Sequence, residues 1–171
     1  MKDDFDLGNL ELFQLGYVYK DVEKQSRIME SVYGMSKFIV FDPVDIQINY
    51  RGKDTEIKVK AAFGKLKDTE FELIQLVEGD SIYKEFLDQG RQGLHHVCYR
   101  VENLQNLVKK YISEGVNVLQ SGKIITTSYA YMDTEKTLGI IIELAEEKKR
   151  GKRKKEITYS NKKEVDLRRN D

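Results

Sequence analysis

Hydrophobic and polar residues alternate through FQLGYVY (13–19) and again through HHVCYR (95–100), the period-two mark of strands with one buried face. Each stretch leads to a residue suited to cap a helix, Asp21 or Asn103, and each segment that follows ends at a glycine, Gly34 or Gly115. The second predicted helix is the stronger, because Leu104, Leu107, Val108, Tyr111 and Ile112 recur at i, i+3, i+4, i+7 and i+8. The first relies on Ile28, Met29, Val32 and Tyr33. Beyond it lie extended stretches: KFIVFD (37–42), then DIQINYR (45–51) or EIKVKAAF (56–63), then EFELIQLV (70–77). Beyond the second helix come VNVLQ (116–120), TTSYAYMD (126–133) and LGIIIELAE (138–146).

The same order of elements therefore occurs twice, as strand, helix and about three strands. Aligning the two copies sets Gln14 on His96, Leu15 on Val97, Tyr17 on Tyr99 and Asp21 on Asn103. The expected layout is a single domain over 1–147, with module one at about 10–79, a linker with a short helix at 80–93, and module two at about 94–147. Strand alternation puts Gln14 on one face with Gly16 and Val18, and His96 with Cys98 and Arg100, opposite His95, Val97 and Tyr99. Glu72 and Glu143 are acids in the middle of apolar runs, FELI and IIELA, at matched places on the two closing strands. Taken singly, each of the four is an ordinary strand residue. Their matched placement, Gln14 with His96 and Glu72 with Glu143, is what brings four donors to one cleft under a pseudo-twofold.

Charge alters this picture only at the end of the chain. The whole is neutral, with 29 basic and 29 acidic residues, but 148–171 holds 11 of the basic and 4 of the acidic ones. A basic tail, read as a partly disordered extension, thus follows an acidic body, and a nucleic-acid role would rest on that tail alone. The single cysteine, Cys98, excludes an internal disulfide framework and a multi-cysteine zinc site. No run is long and apolar enough for a membrane helix, and the acidic start lacks the apolar stretch of a signal peptide. A cytoplasmic, reducing setting is expected.

Two buried carboxylates would repel one another unless a cation lay between them. Two Glu oxygens, a Gln carbonyl and one imidazole suit a divalent ion such as Ni, Co, Mn or Zn, with about two positions left for water or substrate. Such a centre stabilises the oxyanion that builds when a proton leaves a carbon next to a carbonyl, and a ligating Glu that swings off the metal can serve as the base. His95 reads as structural, Cys98 as packing, Arg100 as a surface ion pair or an anion contact, and Tyr129 and Tyr131 as core or pocket wall. Gly93 serves the turn into module two. A dioxygenase site would want two histidines and a carboxylate on iron, and here one histidine is in register.

These features resemble the vicinal oxygen chelate superfamily, which includes glyoxalase I, methylmalonyl-CoA epimerase, extradiol dioxygenases and bleomycin-resistance proteins. The resemblance covers roughly 10–147. DSIYKEFLDQGRQGLHHVCYRVENL and LGIIIEL are most similar to the linker, second opening strand and closing strand of methylmalonyl-CoA epimerases. It implies an α+β fold of two tandem βαβββ modules forming a half-open barrel around a metal cleft. It also implies metal ligands at Gln14, Glu72, His96 and Glu143, with Glu143 as the catalytic base, an acyl-CoA or thiol-adduct substrate, and a homodimer. Most epimerases carry His at the first position, whereas a Gln/Glu/His/Glu set is similar to one branch of glyoxalase I. A second catalytic acid is expected near TEIKVKAAFGKL, where this chain has Lys58 and Lys60, with Glu56 a weak substitute. The implied activity is that of an epimerase, isomerase or lyase, with a glyoxalase-type lyase or a metal-free binding protein as alternatives.

Overall fold

In the computed structural model, which describes residues 6–148, nine strands and four α-helices follow a short 3-10 turn at Leu7–Asn9. The first half holds β1 (Glu11–Val18), α1 (Val22–Tyr33), β2 (Ile39–Val40), β3 (Val44–Tyr50), β4 (Lys53–Leu66) and β5 (Thr69–Glu78). A linker helix, α2 (Ile82–Asp88), leads to β6 (Gly93–Arg100), α3 (Leu104–Ser113), β7 (Val118–Ile124), β8 (Thr127–Met132), α4 (Glu135–Leu138) and β9 (Ile141–Glu147). The expected basic tail lies, beyond Lys148, outside the described residues.

Eight strands curve into a barrel-like sheet in the circuit β4-β3-β7-β8-β9-β6-β1-β5, closed because β4 also pairs with β5, while β2 lies outside β4. Both first-half candidates for the middle strand form, DIQINYR as β3 and EIKVKAAF within β4. KFIVFD shrinks to the two residues of β2, just ahead of Pro43, which has no N–H to offer a ladder. The second module follows the expected pattern with α4 added. The signals for that missed turn were Thr134 before it and Gly139 after it, the latter left-handed at φ 72.

The helices form as the caps dictate. Asp21 accepts a hydrogen bond from Lys24 N at 2.9 Å and Asn103 one from Asn106 N at 3.1 Å. Gly34 ends α1 in the left-handed region, φ 63, where a side chain would be strained. Each long helix then covers the outside of its own half. Val22 and Met29 of α1 pack with Ala62, Phe71 and Leu73. Leu104 and Leu107 of α3 pack with Ala130, Met132, Ile142 and Leu144. The barrel interior is a third cluster shared by both halves, with Val18, Ile48, Ile57, Ile74, Cys98, Tyr129, Tyr131 and Ile141. Ile82, Tyr83 and Phe86 of α2 join that cluster, so the linker helix contributes to the interior.

The repeat is visible in the pairing. β1 runs parallel to β5 with Gly16 opposite Glu72, and β6 parallel to β9 with Cys98 opposite Glu143. Between the halves β1 and β6 are antiparallel, with Gln14 opposite Cys98 and Gly16 opposite His96. Exchanging Gln14 for His96 and Gly16 for Cys98 turns each of these pairs into the other. A pseudo-twofold axis thus passes between β1 and β6. Among the described residues no helix is long and apolar enough to cross a membrane.

Candidate metal centre

The axis sets the candidate donors around one point. Glu72, His96 and Glu143 each bring a ligand atom to within 4.8 Å of the others. His96 Nε2 lies 3.1 Å from Glu143 Oε2 and 3.7 Å from Glu72 Oε2. His96 is fully buried, the Glu143 side chain is 9% exposed and that of Glu72 17%, so solvent reaches the cluster on the β5 side. Gly16 makes the arrangement possible, because a Cβ there would sit 1.9 Å from Cε1 and Nε2 of His96. The imidazole lies across β1 where that strand has no side chain.

Burial and mutual proximity shift two of these groups, His96 and Glu72. Burial alone would strip His96 of its proton, but the Glu143 and Glu72 carboxylates outweigh it and raise its pKa to about 9. Glu72 is raised chiefly by burial and further by Glu143, with His96 pulling the other way. Despite their proximity, His96 Nε2 and Glu143 Oε2 are not aligned with any hydrogen-bond partner. Two buried polar atoms aimed at a common point without a satisfied bond, flanked by a second carboxylate, are what a cation would satisfy. The donor set of two carboxylates and one imidazole fits a divalent ion of borderline or hard character.

Gln14 stands on the same inner face one row along, and it is buried. Its Nε2 donates to Glu70 Oε1 at 2.7 Å. Glu70 was not anticipated. It lies opposite Gln14 across the β1–β5 ladder and two residues before Glu72, hence on the same face.

His95 departs from expectation. Strict alternation put it on the face away from His96, but β6 carries a bulge, with Gly16 opposite His96 and Tyr17 opposite Leu94. The extra residue re-aims the chain, and His95 is buried against Phe86 and Tyr83, its ring centroid 5.0 Å and 5.5 Å from theirs. Its Nδ1 is 3.0 Å from Nδ1 of His96. Burial, then the neighbouring His96, hold its pKa well below the usual imidazole range. The residue was visible in the sequence, but the bulge that turns it inward was not.

The other candidates divide between interior and surface. Cys98 is buried in the interior cluster, its thiol pushed up by burial and by Glu143, and thus inert. Tyr131 packs edge-on to His96 at 4.9 Å and exchanges a hydrogen bond with Tyr83 at 2.8 Å, while Tyr129 packs on Tyr131. Arg100 is a surface residue, paired with Glu11 at 3.2 Å and stacked over Phe13. Lys58 pairs with Asp45, Lys60 with Glu23, and Glu56 accepts from Gln47, all engaged away from the trio. Gly93 opens β6 at φ 122. A cavity of about 260 Å³ lies beside α2 with His95, Phe86 and Ile141 in its wall. Another, of about 530 Å³, lies over the β3–β7 seam beside Tyr129.

A family model described as the Glyoxalase/Bleomycin resistance protein/Dioxygenase superfamily matches residues 13–131. The uncharacterised Bacillus subtilis protein YqjC is 32% identical over 104 residues, which are 54% of this chain and 69% of that protein. Among solved structures, methylmalonyl-CoA epimerase from Mycobacterium tuberculosis superposes with a TM-score of 0.59 at 17% identity, over 81% of this chain and 88% of that one. A hypothetical protein of Bacillus halodurans gives 0.60 at 14% identity, over 84% and 99%. A Streptomyces coelicolor methylmalonyl-CoA epimerase variant, in complex with 2-nitronate-propionyl-CoA, gives 0.60 at 17%, over 80% and 94%. At these identities the likeness to the solved structures is one of fold.

Proposed function

The chain belongs to the glyoxalase/bleomycin resistance protein/dioxygenase superfamily, and on that footing we propose that it is a divalent-metal-dependent epimerase, isomerase or lyase. It would remove a proton from a carbon next to a carbonyl or thioester, in the manner of a methylmalonyl-CoA epimerase. The observation that carries the reading is the convergence of Glu72, His96 and Glu143, one carboxylate from each module with the imidazole between them. These three would hold the ion through two carboxylate oxygens and His96 Nε2, with the Gln14 carbonyl as the fourth donor. A bound cation would supply positive charge against the substrate oxygen on which negative charge develops.

Glu143 is the group we assign to proton abstraction. It lies between Cys98 on β6 and Tyr131 on β8 in the strand register, and both neighbours are buried, which keeps bulk water from it. Epimerisation needs a second group to return the proton from the opposite side. Glu70, held by the Gln14 amide, is the further carboxylate on that inner face, while Glu56, Lys58 and Lys60 are committed elsewhere. A thiohemiacetal lyase of the glyoxalase kind is the second reading, favoured by glutamine at position 14. Pairing into a homodimer is a family-based proposal.

The test is deuterium exchange at the α-carbon of methylmalonyl-CoA, and then of a glutathione thiohemiacetal, by cation-loaded protein. Glu143→Gln keeps an oxygen donor but removes the base, and should cut exchange of the α-proton on its own face by about 100-fold or more. Glu70→Gln should abolish inversion while leaving exchange on one face. Absence of exchange with both substrates in protein that demonstrably holds a cation would reject the reading.

A further inference from the structure

A histidine binds a metal through one ring nitrogen only if the other is fixed, and the partner of that second nitrogen sets the tautomer and the ring angle. Carboxylates, backbone carbonyls and water usually fill that place. Here the group facing His96 Nδ1 is another imidazole, His95 Nδ1, at 3.0 Å. Two ring nitrogens at that distance need one hydrogen between them, so one donates and the other accepts.

The surroundings decide which. His96 turns its Nε2 to Glu143 and Glu72, at 3.1 and 3.7 Å, and a cation held there would leave the ring's one hydrogen on Nδ1. His95 has aromatic rings on its flanks, from Tyr83, Phe86 and Tyr131, and is buried. Its neighbours disfavour a positive charge, and a neutral ring that receives at Nδ1 carries its own hydrogen at Nε2. The two rings stand at 87° to each other, and Tyr131 packs edge-on against both. The β6 bulge is what brings both consecutive side chains inward.

We propose that His95 is a positioning residue, which accepts the hydrogen of His96 Nδ1 and thereby aims His96 Nε2 at the point it shares with Glu72 and Glu143. The assignment rests on the metal-centre reading above and adds to it the reason for the bulge and for a second buried histidine. It also explains why His95 can be out of strand register without being a ligand itself.

Two measurements test it. In the metal-free, ¹⁵N-histidine-labelled protein, a scalar coupling between the two Nδ1 nuclei reports the hydrogen bond directly, and its absence overturns the proposal whether or not a cation binds. In the second, Co²⁺ affinity and the visible Co²⁺ spectrum are recorded for wild type, His95→Phe and His95→Asn. Phenylalanine keeps the ring and loses the acceptor, and should weaken Co²⁺ binding by about 10- to 100-fold with an altered spectrum. Asparagine places an amide oxygen where Nδ1 stood, and should restore most of the affinity. Wild-type affinity and spectrum in His95→Phe would overturn the proposal. A wild-type protein that shows the coupling and takes up no Co²⁺ would instead overturn the metal-centre reading while leaving the imidazole pair intact.

Discussion

An alanine at position 16 would place its Cβ 1.9 Å from the His96 ring, a distance no packed pair tolerates. The ring has no room to retreat, since His96 is fully buried with Tyr131 edge-on to it. Gly16→Ala should therefore cost roughly 1–3 kcal/mol in urea unfolding and displace Nε2, so that Co²⁺ uptake falls with it. His96 also predicts a pH dependence. Its folded pKa is about 9, against about 6.5 unfolded. The proton it holds stabilises the metal-free fold fully below pH 6.5, and that stability is lost as the pH rises through 9. The loss, read as denaturation midpoints in metal-free protein, should approach ~3 kcal/mol, and the slope should vanish when a cation replaces the proton. At this scale the sequence revealed Glu72, His96 and Glu143, because acids and an imidazole in apolar, matched positions have few uses. It could not reveal that His95 turns inward or that Glu70 engages Gln14. One depends on a bulge between strands some eighty residues apart, and the other on a ladder partner, Gln14, fixed only when β1 and β5 pair.

Helix α2 shows how an element supports the centre without touching it. Ser81 caps it, Gln120 Oε1 accepts from Ile82 N at 3.2 Å, and Arg51 clasps Glu85 through two hydrogen bonds at 2.6 and 2.8 Å. Its inner face carries Tyr83 and Phe86 against His95. Gln120 is fully buried, so Gln120→Leu leaves the Ile82 N–H without its partner and should cost about 1–3 kcal/mol. Faster amide exchange through residues 82–88 is the expected signature, with β1 and β9 unaffected; uniform acceleration would count against a local role. Glu85→Gln, acting on a half-exposed ion pair, should cost less than about 1 kcal/mol. The caps and periodicity made α1 and α3 legible, and the linker helix with them. α4 escaped because it is four residues long, too short for a periodic signal, and β2 was expected but longer than its two residues.

Across the whole molecule, duplication was readable from the chain whereas closure was not. Nothing local in DIQINYR or VNVLQSG announces that β3 meets β7 over three residue pairs, Ile48 with Gly122, Asn49 with Ser121 and Tyr50 with Gln120. That seam and the β1–β6 pairing join two halves whose helices each pack on their own side, so the shared interior is where the halves become interdependent. The three charged or imidazole donors follow the same division, Glu72 from the first half and His96 and Glu143 from the second, with Gln14 the fourth candidate, again from the first half. A cation held by all three would cross-link the halves and bind only the folded state. Its saturation at about 100 times Kd should then stabilise the fold by about 2.7 kcal/mol, seen as a concentration-dependent rise in Tm. Glu72→Gln, which removes the first half's charged donor, should abolish most of that rise while the metal-free Tm stays level or increases, because a buried carboxylate beside Glu143 has been neutralised. A full cation-dependent rise in Glu72→Gln would mean that the first half's carboxylate has no part in holding the ion, and the symmetry between the closing strands would not be what binds it.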